Sequence, residues 1–177
     1  KKIPIVFIHG VGLTHEIWKP QLDYFKDSTL IAYDILGHGK TPLKKSNISF
    51  DDFSEQLINL LNELNFDRIH LIGFSIGSLI ARDFATKYND RLKTLTLLGS
   101  IYNRSEEEQK IVNDRFNLAK KNLKLSKQAL KRWFTDKYLK KNPNTFEKIS
   151  SILEKNNMDS FLKVYELFVF HKNDENF

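Results

Sequence analysis

Short apolar, β-branched runs alternate with longer amphipathic stretches along the first hundred residues. Four of the runs are typical of buried strands: residues 4–9 (PIVFIH), 29–34 (TLIAYD), 68–74 (RIHLIGF) and 92–98 (LKTLTLL). Three stretches between them carry apolar residues at helical spacing: residues 17–25, 53–64 and 76–88. Strands that alternate with helices predict right-handed βαβ units and a parallel sheet between two helical layers, which is a three-layer α/β fold.

The pattern changes after the fourth predicted strand to one helix after another. Helical spacing predicts helices within residues 118–123, 126–139, 145–155 and 159–171. All seven glycines lie before residue 100. The sequence therefore predicts an α/β core at residues 1–103 and an all-helical appendage at residues 104–177.

Composition and charge limit the classes of partner. Apolar residues make up 41% of the chain, and no apolar run approaches the roughly 20 residues of a membrane span. Most of the net charge of +6 lies after residue 99, where there are 16 Lys and Arg against 11 Asp and Glu. These charges are spread along helical stretches without an aromatic-basic motif. Cysteine is absent, which excludes disulfides and a cysteine nucleophile. We therefore expect a cytoplasmic protein that binds neither nucleic acid nor membrane.

The glycines cluster at one edge of the predicted sheet. Each of them follows or ends a predicted strand: Gly10, Gly12, Gly37, Gly39, Gly73, Gly77 and Gly99. The carboxyl ends of parallel strands form the edge at which open α/β sheets bind ligands. Ordinary turn chemistry also uses glycine, but a shared edge for all seven favours a functional site there.

Residues 73–77 (GFSIG) match the G-x-S-x-G nucleophile elbow and lie between a buried-strand pattern and a helix pattern. A sharp turn at this point needs flanking residues without Cβ atoms, and it projects the Ser75 hydroxyl above the sheet. The alternative is an ordinary strand-to-helix turn, made flexible by its glycines, in which Ser75 only caps the helix. The motif in this setting favours Ser75 as a catalytic nucleophile.

Residues 9–12 (HGVG) follow the first strand, where the second half of an oxyanion hole is expected. We predict that the backbone N–H groups of Val11 and Ile76 bind the oxyanion, with Gly10 and Gly12 as neighbouring substrate-binding residues. The alternative is a glycine-rich loop that connects a strand to a helix and does nothing more.

No histidine of the chain is well placed as a general base for Ser75. Each precedes Ser75, lies within a strand or ends a helix: His9, His15, His38, His70 and His171. Asp34, at the end of the second strand, is interpreted as a structural carboxylate that accepts backbone N–H groups. Paired carboxylates and HExxH-like spacing do not occur, so we predict no metal and no cofactor.

Three segments together resemble the α/β-hydrolase fold superfamily: FIHGVG (residues 7–12), DILGHGKT (34–41) and IGFSIG (72–77). The segment LKRWFT (130–135) more loosely resembles the helical cap of the 3-oxoadipate enol-lactone hydrolase branch and its esterase relatives. The resemblance implies the strand order second, first, third, fourth, with residues 104–177 forming a cap over the strand ends. It also implies an apolar pocket, for which Trp133 and Phe134 are candidate lining residues; packing within the cap is the alternative for both.

The superfamily's catalytic triad runs in the chain order nucleophile, acid, histidine. Neither the acid nor the histidine is found after Ser75 in the expected setting, so we expect both beyond residue 177. The chain would then be about two-thirds of a longer protein. Alone it is expected to be a poor catalyst, because a serine without a base is a weak nucleophile.

For the intact protein the sequence predicts a serine esterase or lactonase that acts on a small-molecule substrate. Ser75 would attack a carboxylic ester or lactone, and water would hydrolyse the acyl-enzyme. The same fold also serves C–C hydrolases, thioesterases, cofactor-free peroxidase-like enzymes and proteins that bind a ligand without turnover. These alternatives stay open at this point, as does a vestigial elbow.

Overall fold

Four parallel strands form the sheet of the computed structural model, which describes residues 2–121 and 126–172. They are β1 (Ile5–Ile8), β2 (Leu30–Tyr33), β3 (Ile69–Phe74) and β4 (Leu92–Leu98). Their order across the sheet is β2-β1-β3-β4, and every neighbouring pair is parallel. The order implied by the family resemblance is therefore confirmed, and each predicted strand ends within one residue of the observed one.

Within the described residues, three helices flank the sheet and five follow β4. The first group is α1 (Lys19–Tyr24), α2 (Phe50–Glu63) and α3 (Ile76–Lys87), with 3₁₀ turns at His15–Trp18 and Asn89–Arg91. The second group is α4 (Glu106–Lys121), α5 (Ser126–Trp133), α6 (Asp136–Lys141), α7 (Pro143–Glu154) and α8 (Met158–Val169). None of these helices has the length and apolar character needed to cross a bilayer.

Two of the predicted helices were wrong in extent. The one predicted at 118–123 is the end of α4, which begins at Glu106, and its last two residues lie outside the described chain. Since α4 buries residues only near its carboxyl end, apolar spacing could not reveal its first turns. The single helix predicted at 126–139 is two helices, because the Thr135 hydroxyl accepts a hydrogen bond from the Tyr138 N–H at 3.2 Å and caps α6 as a new helix.

The main hydrophobic core lies between the sheet and helices α2 and α3. On α2, Phe53, Leu57 and Leu61 recur at helical spacing and are fully buried, as are Ile80 and Phe84 on α3. Burial of each such side chain contributes about 2 kcal/mol to the hydrophobic stabilisation of the fold. This packing holds the amino end of α3 against the end of β3, where the candidate site lies.

Helices α4 to α8 are called the helical segment below. Two of them, α7 and α8, contact loops at the carboxyl ends of β1 and β2. Leu153 of α7 and Phe161 of α8 lie against Gly12, which follows β1. Val164 of α8 is fully buried in the same hydrophobic cluster as β1 and α3. The Arg104 guanidinium donates to two carbonyl groups at the end of α8, at 2.8 and 2.9 Å. The helical segment is thus seated at the edge of the sheet that carries the glycines.

Candidate active site

Ser75 lies at the turn between β3 and α3 in a backbone conformation that non-glycine residues rarely adopt. Its φ is 56° and its ψ is −120°. Such a conformation costs about 1–3 kcal/mol and persists where the surroundings hold it in place. Here the Ser75 N–H donates to the Leu98 carbonyl of β4 at 2.9 Å, and the Ser75 carbonyl accepts from the Ser78 N–H at 2.9 Å. The sheet and the first turn of α3 therefore hold the strained residue from both sides.

The two glycines that flank Ser75 are required by close backbone approach. A Cβ on Gly77 would lie 2.6 Å from the Ile8 carbonyl oxygen and 2.7 Å from that of His9. A Cβ on Gly73 would overlap the Gly77 carbonyl. This is the steric requirement expected from the sequence, and it lets α3 begin immediately beside β1.

The loop of residues 9–13 lies directly against the elbow. The Leu13 N–H donates to the Gly10 carbonyl at 3.2 Å, and the φ of Gly12 is +77°, as in a type II turn with glycine at its third position. A Cβ on Gly10 would be 3.3 Å from the Cβ of Ser75. The structure therefore brings together the elbow and the 9–13 loop, which are more than 60 residues apart in sequence.

The backbone N–H groups near the elbow differ in their hydrogen bonding. The Gly12 N–H donates to His38 Nε2 at 2.8 Å and is thereby occupied. Among the hydrogen bonds of the described residues, none uses the N–H of Val11 or of Ile76. Ile76 is the first residue of α3, where helical N–H groups have no intrahelical acceptor. Both N–H groups predicted from sequence to form an oxyanion hole are thus without an acceptor among the described residues, although their role stays a prediction.

Two buried histidines brace the 9–13 loop and its neighbour after β2. His9 Nε2 accepts from the Ile35 N–H at 3.1 Å, and His38 Nε2 accepts from the Gly12 N–H. Since Nε2 is an acceptor in both, each ring is neutral and carries its proton on Nδ1, which lies 2.8 Å from the Gly10 carbonyl in His9 and 3.3 Å from that of Leu36 in His38. Burial lowers the pKa of His9 to about 4 and that of His38 to about 3.

Asp34 is a nearly buried carboxylate at the end of β2. Its Oδ1 accepts from the His15 N–H at 2.8 Å and from His15 Nδ1 at 2.7 Å, and its Oδ2 accepts from the Lys40 N–H at 3.1 Å. Burial alone would raise the pKa of Asp34, but these hydrogen bonds outweigh it and lower the pKa. Asp34 accepts two backbone N–H groups, as interpreted from sequence, whereas its contact with the His15 side chain was not foreseen.

The structure places the two predicted cap aromatics in different settings. Trp133 is exposed at the end of α5. Phe134 is half-buried and stacks on Tyr138, with ring centroids 5.3 Å apart and an interplanar angle of 13°. Phe134 therefore packs within the helical segment, and a substrate-lining role for either residue stays a prediction. Among the side chains of the helical segment that do meet the 9–13 loop are Leu153, Asn156 and Phe161, and sequence reasoning missed them because no local motif marks them.

A strained serine elbow, flanked by glycines at the head of a helix and facing a glycine loop after β1, defines a class of α/β protein. The chain belongs to the alpha/beta hydrolase fold family, whose model matches residues 3–153. The superfamily predicted from the three sequence motifs is thereby confirmed.

Curated relatives of the chain include two proteins from Acinetobacter baylyi. The chain is 31% identical over 166 residues to an (E)-2-((N-methylformamido)methylene)succinate hydrolase. This alignment covers 93% of this chain and 62% of that protein. It is 29% identical over 147 residues to 3-oxoadipate enol-lactonase 1, covering 81% of this chain and 54% of the relative. The chain therefore spans less than two-thirds of the length of both.

Solved structures give the same fold. The enol-lactonase from Burkholderia xenovorans LB400 superposes with a TM-score of 0.83 at 20% identity, covering 96% of this chain and 66% of that one. A thermophilic esterase from Thermogutta terrifontis superposes with a TM-score of 0.82 at 22% identity, covering 95% of this chain and 64% of the esterase chain. At this level of identity the similarity establishes the fold.

Proposed function

We propose that the intact protein is a serine hydrolase that cleaves a carboxylic ester or lactone through an acyl-enzyme on Ser75. The observation that carries the proposal is the strained conformation of Ser75, held by β4 and α3 and placed against the 9–13 loop. Strain of this kind concentrates at functional sites. A vestigial turn would have no reason to retain it together with two glycines whose Cβ atoms would collide with backbone.

The oxyanion is bound by the N–H groups of Val11 and Ile76 in this proposal. Gly12 is a poorer donor candidate because its N–H already donates to His38. Ile76 also begins α3, so the positive end of the helix dipole favours the negative charge that develops beside Ser75. Loss of one such donor typically reduces transition-state stabilisation by about 3 kcal/mol.

The general base is proposed to be a further histidine of the intact protein, in the triad order of the family. The buried rings of His9 and His38 bind backbone, His15 Nδ1 pairs with Asp34, and His70 Nδ1 pairs with the Thr94 hydroxyl at 2.8 Å. The base would take the Ser75 proton as Oγ attacks the carbonyl carbon and return it to the departing alkoxide. It would then deprotonate the water that hydrolyses the acyl-enzyme.

The helical segment is proposed to be the cap of the active site, with residues 1–103 as the core. Its contacts with Gly12 and with the loop after β2 support this, because those loops end at the same sheet edge as Ser75. Gly10 and Gly12 would then form the floor of the substrate pocket, and Trp133 and Phe134 are candidates for its walls. The names of the two relatives, a succinate-derivative hydrolase and an enol-lactonase, support a small-molecule substrate.

Labelling with a fluorophosphonate tests the proposed nucleophile. The intact protein should be labelled at Ser75, and Ser75→Ala should abolish the labelling, whereas Ser100→Ala, at an exposed serine just after β4, should leave it unchanged. Labelling that persists in Ser75→Ala would refute the assignment. A wild-type protein that is not labelled at all would instead favour a ligand-binding role on the same fold.

A panel of ester, lactone, thioester and C–C substrates then separates the remaining reaction types. Turnover of the esters or lactones is expected to be the fastest. Preferred cleavage of a thioester or a C–C bond would contradict the proposed substrate class while leaving Ser75 as the nucleophile.

A further inference from the structure

Gly12 has both of its backbone polar groups bound to side chains from distant parts of the chain. Its N–H donates to His38 Nε2 at 2.8 Å, and its carbonyl accepts from Asn156 Nδ2 at 2.7 Å. The sequence separations are 26 residues for His38 and 144 for Asn156. One contact therefore comes from the α/β core and the other from the helical segment.

Asn156 is anchored to the helix that carries it. Its Nδ2 also lies 3.2 Å from the Ile152 carbonyl and 3.0 Å from the Leu153 carbonyl, at the carboxyl end of α7. Carbonyl groups in the last turn of a helix lack intrahelical donors, so these contacts satisfy them. The same amide group thus caps α7 and binds Gly12, and it transmits the position of α7 to the 9–13 loop.

The two contacts act on the turn that precedes Leu13. The peptide between Val11 and Gly12 is the central peptide of that turn, and its orientation is what distinguishes a type II from a type I turn. The bond from Gly12 to His38 holds this peptide, and the bond from Asn156 holds the next one. With both peptides held, rotation about Gly12 is restrained. The peptide that Asn156 holds also carries the Leu13 N–H, which donates to the Gly10 carbonyl, and that carbonyl belongs to the peptide that carries the Val11 N–H.

We propose that Asn156 is a positioning residue that couples the seating of the helical segment to the geometry of the oxyanion hole. This inference rests on the proposed function, in which Val11 supplies an oxyanion N–H. Asn156 acts through Gly12 and does not contact the reacting atoms. With Asn156 removed, the 9–13 loop keeps its hydrogen bonds to His9 and His38 of the core but loses the one to the helical segment, and the Val11 N–H departs from the direction in which the charge develops.

The test measures the second-order rate at which a fluorophosphonate labels the intact protein, because the phosphoryl oxygen of the probe must occupy the oxyanion position. Asn156→Ala removes the donor, and Asn156→Asp keeps its shape but replaces the donor with an acceptor. Both variants should be labelled about tenfold to hundredfold more slowly, since small misplacements of a catalytic group cost rates of that order. For a turned-over ester, kcat should fall by a similar factor while KM changes by less than about threefold.

Asn142→Ala is the matched control, because Asn142 lies at the N-cap position, at the other end of α7, and its side-chain amide donates to the Tyr138 carbonyl at 3.0 Å. This variant should be labelled at nearly the wild-type rate. The inference is overturned if Asn156→Asp is labelled as fast as the wild type, or if Asn156→Ala is slowed no more than the control. The isosteric Asn156→Asp decides the question even if Asn156→Ala does not fold.

Failure of the proposed function has a different signature. It appears as a wild-type protein that is not labelled, or as labelling that survives Ser75→Ala, and either result overturns this inference as well. Slow but complete labelling of Ser75 in the Asn156 variants supports both the proposed function and the positioning role of Asn156.

Discussion

Acid should weaken the folded protein through its two buried histidines. His9 and His38 are almost fully buried, and both use Nε2 to accept a backbone N–H, which a protonated ring cannot do. Burial lowers the pKa of His9 to about 4 and that of His38 to about 3, whereas an unfolded histidine titrates near about 6.5. The unfolded state therefore takes up protons first as the pH falls. The stabilisation is complete above about pH 6.5 and is lost progressively below it.

The loss of stability in acid follows from the difference between the histidine pKa values in the folded and unfolded states. Each pH unit between the unfolded and the folded pKa removes about 1.4 kcal/mol per histidine from the free energy of unfolding. Between about pH 6.5 and about pH 5, each histidine removes about 2 kcal/mol, and the pair removes about 4 kcal/mol. Because a typical domain is stable by about 5–15 kcal/mol, this loss is large enough to measure.

His38→Gln isolates one of the two contributions. A glutamine Oε1 can accept the Gly12 N–H in place of Nε2, and it does not titrate. Urea denaturation of the wild-type and variant proteins at about pH 7.5 and about pH 5 gives the loss of stability in each, and the variant should lose about 2 kcal/mol less. Carboxylates titrate in both proteins and cancel in the comparison. Equal losses in the two proteins would refute the reasoning.

Two further predictions concern the elbow and the carboxylate of Asp34 at the end of β2. Gly77→Ala should lower the free energy of unfolding by about 1–3 kcal/mol, because the new Cβ would meet two carbonyl oxygens of the backbone at β1, and it should also abolish fluorophosphonate labelling. Urea denaturation checks the first effect, and a variant as stable and as reactive as the wild type would contradict the close approach. Asp34→Asn should cost about 1–3 kcal/mol, because an amide cannot accept all the N–H groups that the two carboxylate oxygens accept. A loss below about 0.5 kcal/mol would show that these hydrogen bonds are replaceable.

Local pattern was sufficient to predict the layered part of the fold. The four strands and the helices between them were foreseen from this pattern, whereas the strand order came from the family resemblance. This worked because alternation and helical spacing of apolar residues report directly on which face is buried. The Gly73-Phe74-Ser75-Ile76-Gly77 elbow was equally readable, since a strand, a sharp turn and a helix follow one another within a few residues and each has a local steric requirement.

The helical segment was less predictable. Helix α4 is polar over most of its length, so its first turns left no apolar signal, and the end of α5 depends on a side-chain cap at Thr135. Trp133 stood out in the sequence by its size, yet it lies on the surface in this structure. Propensity and spacing indicate where a helix forms. Which of its side chains are buried depends on the elements that pack against it.

From the sequence alone came the layered fold, the family and the serine at the elbow, because each rests on residues that are neighbours along the chain. Only the tertiary structure decided which side chains hold the 9–13 loop. His38 and Asn156 bind Gly12 from positions 26 and 144 residues away, and no sequence motif around either residue predicts the contact. A hydrogen bond between distant segments exists only once the sheet and the helical segment have packed, so its partners are set by the assembled fold.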